Sequence, residues 1–179
     1  MKKPVTAIIL GAGHRAMTYA DYSLSHPEEL KIVGVAEPDL YRRQYVCEKF
    51  SFPKENCFPS AEELSRVPRF ADAVINGTMD EQHVETSIPL LKLGYDMLLE
   101  KPFCVNETEM NELLSVIKEH GNKVMICHVL RYTPFYRTIK ETILSGKIGE
   151  IINIQTLENV SYHHLTTSFV RGKWGNSDR

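Results

Sequence analysis

An acid and a base stand side by side directly after an apolar run. In the segment YDMLLEKPF, residues 97–99 are typical of a buried strand, and Glu100, Lys101 and Pro102 follow them without a break. A lysine at such a place can polarise a hydroxyl or exchange a proton with it, while a neighbouring carboxylate favours the ammonium form. Pro102 restricts the path of the chain, and Lys101–Pro102 is a candidate for a cis peptide bond. The alternative is ordinary surface charge followed by an ordinary turn.

A glycine-rich turn near the N-terminus has a pattern that can bind dinucleotides. AIILGAGHRA places the motif G-x-G-x-x-A at Gly11, Gly13 and Ala16, between an apolar run and a helix-forming segment. The first glycine allows a tight turn, the second lets a pyrophosphate approach the helix N-terminus, and the alanine methyl can fit against the strand. An ordinary glycine-rich turn is the alternative. The predicted phosphate-binding residues are Gly11, Ala12, Gly13, His14 and Arg15, the last two through their backbones.

An acidic residue follows the second apolar run, VGVAEPD, at Glu37. Its distance from the glycines, roughly twenty residues, is typical of an acid that accepts hydrogen bonds from the adenosine ribose of NAD. The same carboxylate would repel the 2′-phosphate of NADP. Arg42 and Arg43 follow closely and weaken this preference, unless they are solvated residues of the next helix. NAD is therefore the predicted cofactor, and NADP is the alternative.

The elements that position these residues alternate between strand-forming and helix-forming segments. Strands are predicted at 5–10, 30–36, 71–76, 95–99 and 122–129, with helices between them. Apolar strands separated by helix-length crossovers indicate an α/β fold with a doubly wound parallel sheet, the Rossmann fold. The helix after Asn106 is the best marked, with Glu109 three residues later and Gly121 at its end. Pro89 falls inside the helix predicted over 80–93 and is expected to kink it.

The polar residues come together if these predictions hold, because the carboxyl ends of parallel strands share one edge of the sheet. A polar residue or segment follows each predicted strand: Gly11, Glu37, the segment NGTMD, Glu100 with Lys101, and His128. For His83, in the next helical turn, a ligand contact and an ordinary helix-surface position are equally open, and His128 is expected to be buried. The predicted site therefore also includes Asn76, Gly77, Thr78, His83, Glu100 and Lys101.

The composition excludes several classes of function for this 179-residue chain. A net charge of −2 gives no electrostatic reason to expect nucleic acid or a membrane surface as a partner. No apolar run approaches the ~20 residues that cross a bilayer. The four cysteines lie far apart, so neither a disulfide framework nor a metal site is predicted. A reducing, cytoplasmic location is the expectation.

The pattern changes after residue 128. Residues 134–150 predict a helix that ends at Gly146, and 151–160 are rich in strand formers. One helix and one or two strands cannot bury their own apolar faces. The predicted organisation is a dinucleotide-binding domain at 1–128 and an incomplete second domain at 129–179. The second part would be a truncation, a gene fragment, or a piece completed by another chain.

Five segments together resemble the Gfo/Idh/MocA oxidoreductases, from about Thr6 to Ile151: GAGHRA, VGVAEPD, VINGTMDEQHVE, LLEKPF and ICHVLRYTPFYRTIKETILSGKIGEI. The resemblance implies that Lys101 lies beside the nicotinamide and the substrate and assists proton transfer. It implies that the glycine loop and Glu37 hold the dinucleotide, and that Arg131 lies near the nicotinamide. The second catalytic group of the family, a histidine paired with an aspartate, would lie beyond residue 179.

The family mostly oxidises or reduces a hydroxyl on a sugar, an inositol or a related polyol. The chain is therefore expected to be the cofactor-binding portion of an NAD(P)-dependent oxidoreductase with a small sugar-like substrate, homo-oligomeric when full-length. This portion alone is expected to bind NAD weakly and to catalyse no reaction. Two other functions stay open: an NAD-requiring glycosidase on the same scaffold, and a non-catalytic dinucleotide-binding module.

Overall fold

The computed structural model describes residues 3–171 and 175, and it divides into two units, Met1–Leu130 and Arg131–Arg179. The first unit contains a sheet of six parallel strands: β1 Val5–Leu10, β2 Leu30–Ala36, β3 Cys57–Phe58, β4 Ala73–Asn76, β5 Asp96–Leu99 and β6 Val124–Ile126. Its helices are α1 His14–Ala20, α2 Tyr22–Ser25, α3 Leu40–Phe50, α4 Ala61–Ser65, α5 His83–Lys92 and α6 Glu107–His120. The strand order is β3-β2-β1-β4-β5-β6, and every pairing is parallel.

The central strands of the sheet are buried on both faces, in agreement with their continuous apolar sequence. On β1, Ile8 and Leu10 belong to a core that includes residues of α5 and α6, such as Leu90 and Leu113. The alternate residues of the same strand, among them Ile9, pack in a second core with residues of α1 and α3. The predicted α/β fold with a doubly wound parallel sheet is confirmed.

The sequence did not predict strand β3. β3 is only two residues long and pairs with the end of β2 at the edge of the sheet. Two residues carry no alternation of apolar and polar side chains, so no pattern in the sequence could have indicated it.

The boundaries of two helices follow the predicted signals. The Asn106 side chain accepts a hydrogen bond from the Glu109 N–H at 2.9 Å, and Gly121 ends α6 in the left-handed conformation with φ +69°. A 3₁₀ turn at Asp80–Gln82 precedes α5, and α5 continues through Pro89 to Lys92. The helix predicted over 80–93 is thus present, with a tighter first turn.

The described residues of the second unit form helical segments and no strand. Helix α7 spans Pro134–Leu144, helix α8 spans Tyr162–His164, and a π-helical segment spans Leu165–Val170. The strand predicted over 151–160 is wrong, because these residues form no regular secondary structure. Strand formers need a neighbouring strand to satisfy their backbone groups, and the described part of this unit provides none. The assignment of 129–179 to a second domain stays a prediction.

The described residues include no helix that is both long and apolar enough to cross a membrane. They also include no cluster of three or more histidine, cysteine or acidic residues that could hold a metal ion.

Candidate functional site

Backbone hydrogen bonds continue across the sheet just beyond the strand ends and fix the loops beside one another. The N–H of Gly11 donates to the Ala36 carbonyl, and the N–H of Gly77 donates to the Leu10 carbonyl, both at 2.9 Å. The N–H of Glu100 donates to the Asn76 carbonyl, also at 2.9 Å. The predicted convergence of these loops at one edge of the sheet is therefore present in the fold.

The three glycines at this edge have different physical reasons to be glycine. Gly11 has φ +77°, and a Cβ there would lie 3.0 Å from the Gly77 carbonyl oxygen. A Cβ on Gly77 would lie 2.8 Å from the Cβ of Ala16, so the third position of the motif packs directly against the loop after β4. Gly13 differs from both, since it has φ −77° and its Cβ would meet no protein atom closer than 3.8 Å.

The space beside Gly13 is the observation that tests whether a dinucleotide fits. Neither backbone strain nor packing within the described residues requires glycine at this position. Gly13 is also the N-cap of α1, and no side chain caps that end of the helix. A glycine that the protein itself does not need is explained by a group that approaches its backbone closely, as a pyrophosphate does in this motif. His14 and Arg15 are the first residues of α1, and both are exposed.

Glu37 is buried beside the glycine turn. One carboxylate oxygen accepts the Ala12 N–H at 2.6 Å, and the other accepts the Asp39 N–H at 3.0 Å. The acid therefore holds the glycine turn in place through a backbone hydrogen bond, and its contact with a ribose stays a prediction. A carboxylate has about four acceptor positions, so two backbone amides leave capacity for ribose hydroxyls.

Arg43 is not the solvated helix residue that the sequence suggested. Its guanidinium donates to the backbone carbonyl of Glu37, and to the carbonyl of Pro38 at 3.2 Å. The sequence could not show this because Arg43 lies on the first turns of α3, whose direction depends on packing. The arginine thus stabilises the backbone that carries the acid. Arg42 contributes its backbone N–H to the Asp39 cap of α3.

The expected pairing of Glu100 with the ammonium of Lys101 is wrong. Glu100 is buried, with one oxygen accepting the hydroxyl of Tyr19 and the other accepting the backbone N–H of Lys101 at 2.9 Å. The Lys101 side chain is exposed, and no ion pair joins it to Glu100. The carboxylate therefore holds the backbone at the strand end and does not pair with the Lys101 amine. The Lys101–Pro102 bond is cis.

Two residues that the sequence did not single out complete this corner of the site. Burial and the hydrogen bond to Glu100 raise the pKa of Tyr19 far above its usual value. Burial also raises the pKa of Cys127, which adjoins the Tyr19 hydroxyl, to about 11. The only sequence signal was weak: Tyr19 follows buried Ala16 at helical spacing, which places it towards the sheet.

The loop after β4 is held by the side chain of Asn76, the last residue of that strand. Asn76 is 1% exposed, and its amide donates to Ser87 at 2.9 Å and to Thr86 at 3.0 Å on α5. Its carbonyl oxygen accepts the N–H and the hydroxyl of Thr78. The Asn76 side chain is thus fully used within the protein, so the geometry favours a positioning role. Its contact with a cofactor stays a prediction.

The structure contradicts the expectation for His128, excludes a helix-surface position for His83, and leaves the role of Arg131 untested. His83 is 1% exposed rather than on a helix surface, and its Nδ1 lies 2.6 Å from the Pro102 carbonyl oxygen. His128 is exposed rather than buried, because β6 ends at Ile126 and the chain leaves the sheet there. Arg131 lies exposed in a 3₁₀ turn at Val129–Tyr132 and begins the second unit. Its role near a nicotinamide stays a prediction.

Comparison with known proteins gives the family of this chain. The model of the Gfo/Idh/MocA oxidoreductase family, described as having an NAD-binding Rossmann fold, matches residues 5–128, which is more than half of the chain. The chain belongs to the Gfo/Idh/MocA oxidoreductase family. Its first unit is accordingly an NAD-binding Rossmann domain, in agreement with the predicted cofactor.

Relatives in this family include dehydrogenases of cyclic alcohols. The chain is 31% identical over 152 residues to the oxidoreductase YteT of Bacillus subtilis (strain 168), covering 82% of this chain and 34% of that protein. It is 31% identical over 144 residues to mouse trans-1,2-dihydrobenzene-1,2-diol dehydrogenase, covering 80% of this chain and 42% of that one. The chain thus spans less than half the length of these Gfo/Idh/MocA relatives.

Solved structures of the family share the fold. The crystal structure of myo-inositol 2-dehydrogenase from Lactobacillus plantarum matches with a TM-score of 0.76 and 24% identity, over 84% of this chain and 44% of that one. That of scyllo-inositol dehydrogenase from Lactobacillus casei, with bound NAD(H) and scyllo-inositol, matches with a TM-score of 0.76 and 19% identity, over 83% of this chain and 43% of that one. At these identities the matches establish the Rossmann fold.

Proposed function

We propose that this chain is the cofactor-binding portion of an NAD-dependent dehydrogenase that acts on a hydroxyl of a sugar, an inositol or a related cyclic polyol. The observation that carries the proposal is Gly13, whose missing side chain is explained by no atom of the described protein. It lies on the same edge of the sheet as Glu37 and the loop that carries Lys101.

The binding residues have separate tasks in this proposal. The turn from Gly11 to Arg15 receives the pyrophosphate through backbone N–H groups, with Gly13 allowing the closest approach. Glu37 accepts hydrogen bonds from the ribose diol and keeps a 2′-phosphate away, which favours NAD over NADP. Asn76, Gly77 and Thr78 shape the adjoining wall of the site.

The chemical step divides between cofactor and protein. The bound cofactor would supply the hydride chemistry at the alcohol carbon, as NAD for oxidation and as NADH for reduction. We assign Lys101 to the substrate oxygen, where its amine takes the hydroxyl proton during oxidation and its ammonium gives the proton back during reduction. Within the part of the chain that the structure describes, no ion pair holds this amine, and Glu100 is used by Tyr19 and by the backbone. The lysine is therefore free to turn towards a substrate.

The substrate class rests on the relatives. The mouse relative is a dehydrogenase of a cyclic diol, and two structural neighbours are dehydrogenases of inositols. Both kinds of compound carry neighbouring hydroxyls on a six-membered carbon ring. A ring alcohol with an adjacent hydroxyl is the shared feature that we carry over to this chain. A cytoplasmic location and a homo-oligomeric full-length protein remain part of the proposal.

A titration of the purified chain with NADH and NADPH, followed by nicotinamide fluorescence, tests the binding part of the proposal. We expect saturable binding of NADH and weaker binding of NADPH. Glu37→Arg serves as the matched variant, because it exchanges a repelling charge for an attracting one and should reverse the order. Absence of saturable binding by either nucleotide would contradict the proposed function.

A further inference from the structure

His83 joins two loops of the candidate site from inside the protein. It is the first residue of α5, it is 1% exposed, and its Nδ1 lies 2.6 Å from the carbonyl oxygen of Pro102. Pro102 directly follows Lys101, to which we assign the substrate proton. The histidine is 19 residues from Pro102 in sequence and contacts the lysine loop through this backbone oxygen.

The contact determines which ring nitrogen carries the proton. A carbonyl oxygen can only accept, so Nδ1 must be the donor in this hydrogen bond. In a neutral ring Nε2 is then without a proton, and it is buried with no partner among the described residues. The His83 ring therefore makes one hydrogen bond, through Nδ1. A ring that only filled space in the core would not need this bond.

We propose that His83 is a positioning residue for Lys101. His83 donates its Nδ1–H to the Pro102 carbonyl and thereby sets the path of the loop that carries Lys101 after β5. The inference rests on the proposed function only for the chemical role of Lys101. On the other side of Lys101, its backbone N–H donates to the Glu100 carboxylate at 2.9 Å. The two hydrogen bonds hold the residue from both sides while its side chain stays exposed.

Two substitutions separate the bond from the volume of the ring. His83→Asn places an amide nitrogen as many bonds from the backbone as Nδ1, so it can still donate to Pro102. His83→Gln places its amide one bond further out, in the place of Nε2, and loses that donor. Glutamine is the better helix former of the two, so any advantage of asparagine cannot come from helix propensity. Val84→Ala, at a buried neighbour on the same helix, controls for a general loss of packing.

Nuclear magnetic resonance of the isotope-labelled chain gives readouts that need no cofactor. In the wild type, long-range proton–nitrogen correlations should show the His83 ring protonated at Nδ1. The Pro102 carbonyl carbon and the Phe103 amide nitrogen belong to the peptide unit that accepts the bond. Both resonances should stay near their wild-type positions in His83→Asn and in Val84→Ala, and should move in His83→Gln.

A parallel NADH titration measures the consequence for the site. The dissociation constant should rise about fivefold in His83→Gln, the equivalent of one net hydrogen bond, and stay within about twofold of wild type in His83→Asn. A ring protonated at Nε2, or equal displacement of the Phe103 signal in both variants, would overturn the inference. If the wild type fails to bind NADH, the proposed function is contradicted. The ring tautomer and the Phe103 signal would still decide the role of His83.

Discussion

Replacing Gly13 by alanine should leave the protein folded and weaken its affinity for the dinucleotide. The backbone of Gly13, with φ −77° and ψ 174°, is one that alanine adopts without strain, and the new Cβ would lie 3.8 Å from its nearest neighbour. Restricting the unfolded chain should stabilise the protein by about 0.4–1 kcal/mol. Alanine is the poorer N-cap, which should cost a similar amount, about 0.5–1 kcal/mol. The free energy of unfolding should therefore stay within about 1 kcal/mol of wild type.

The effect on binding should be much larger, because the methyl group would occupy the space that the pyrophosphate approaches. Forcing an extra methyl into a close contact costs about 1–3 kcal/mol. Since about 1.4 kcal/mol is a factor of ten, the dissociation constant for NADH should rise roughly tenfold, and by more than a hundredfold at the upper limit. Urea unfolding and a fluorescence titration with NADH measure the two quantities on the same sample.

Gly77→Ala is the matched control, because we expect it to reduce stability, which Gly13→Ala should leave nearly unchanged. Its Cβ would lie 2.8 Å from the Ala16 Cβ and 3.2 Å from the Ala16 backbone nitrogen, neither of which can move freely. We expect a loss of about 1–3 kcal/mol in stability. If Gly13→Ala binds NADH as tightly as wild type, the glycine turn does not hold the pyrophosphate. If it unfolds as easily as Gly77→Ala, packing rather than a ligand explains the glycine.

Three further predictions concern charge and burial. Glu37→Gln should lower the free energy of unfolding by about 1–3 kcal/mol, since the amide cannot accept from both backbone N–H groups. The same substitution should narrow the preference for NADH over NADPH. An unchanged urea midpoint would contradict the predicted loss of stability. The native Cys127 thiol should resist alkylation at pH 8, because its pKa is raised to about 11. The stability that the protonated thiol contributes is complete below the usual thiol pKa of about 8.5 and should be lost as the pH rises through about 11. Rapid labelling of Cys127, detected by mass spectrometry, would refute this prediction. Hydrogen bonds from Thr6 lower the pKa of Asp72, so the stability they give is present above the usual carboxyl pKa and lost as the pH falls through the lowered one. Asp72→Asn should therefore lower the free energy of unfolding by less than about 1 kcal/mol at pH 7, because the carboxylate is exposed, and should leave it unchanged in acid. A difference in stability between variant and wild type that persists in acid would show that these hydrogen bonds are not the cause.

The sequence determined the architecture because the signals for it are local. Continuous apolar strands, helix-length crossovers, the Asn106 cap and the Gly121 stop each lie within a few neighbouring residues. The parallel sheet then brings the strand ends to one edge, so Gly11, Glu37 and the loop of Lys101 could be placed together without coordinates. Where a local signal was absent, as for the two-residue strand β3, prediction failed.

The tertiary structure decided which groups those residues contact. The side-chain partner of Glu100 is Tyr19, 81 residues away, rather than the ammonium of the lysine beside it. His83 is buried because α5 packs against the sheet, and its bond to Pro102 depends on how two crossovers meet. Strand-forming residues at 151–160 form no strand, because propensity cannot replace a partner. Composition and spacing encode elements, whereas hydrogen-bond partners between distant residues depend on strand order and register, which appear only when the chain is folded.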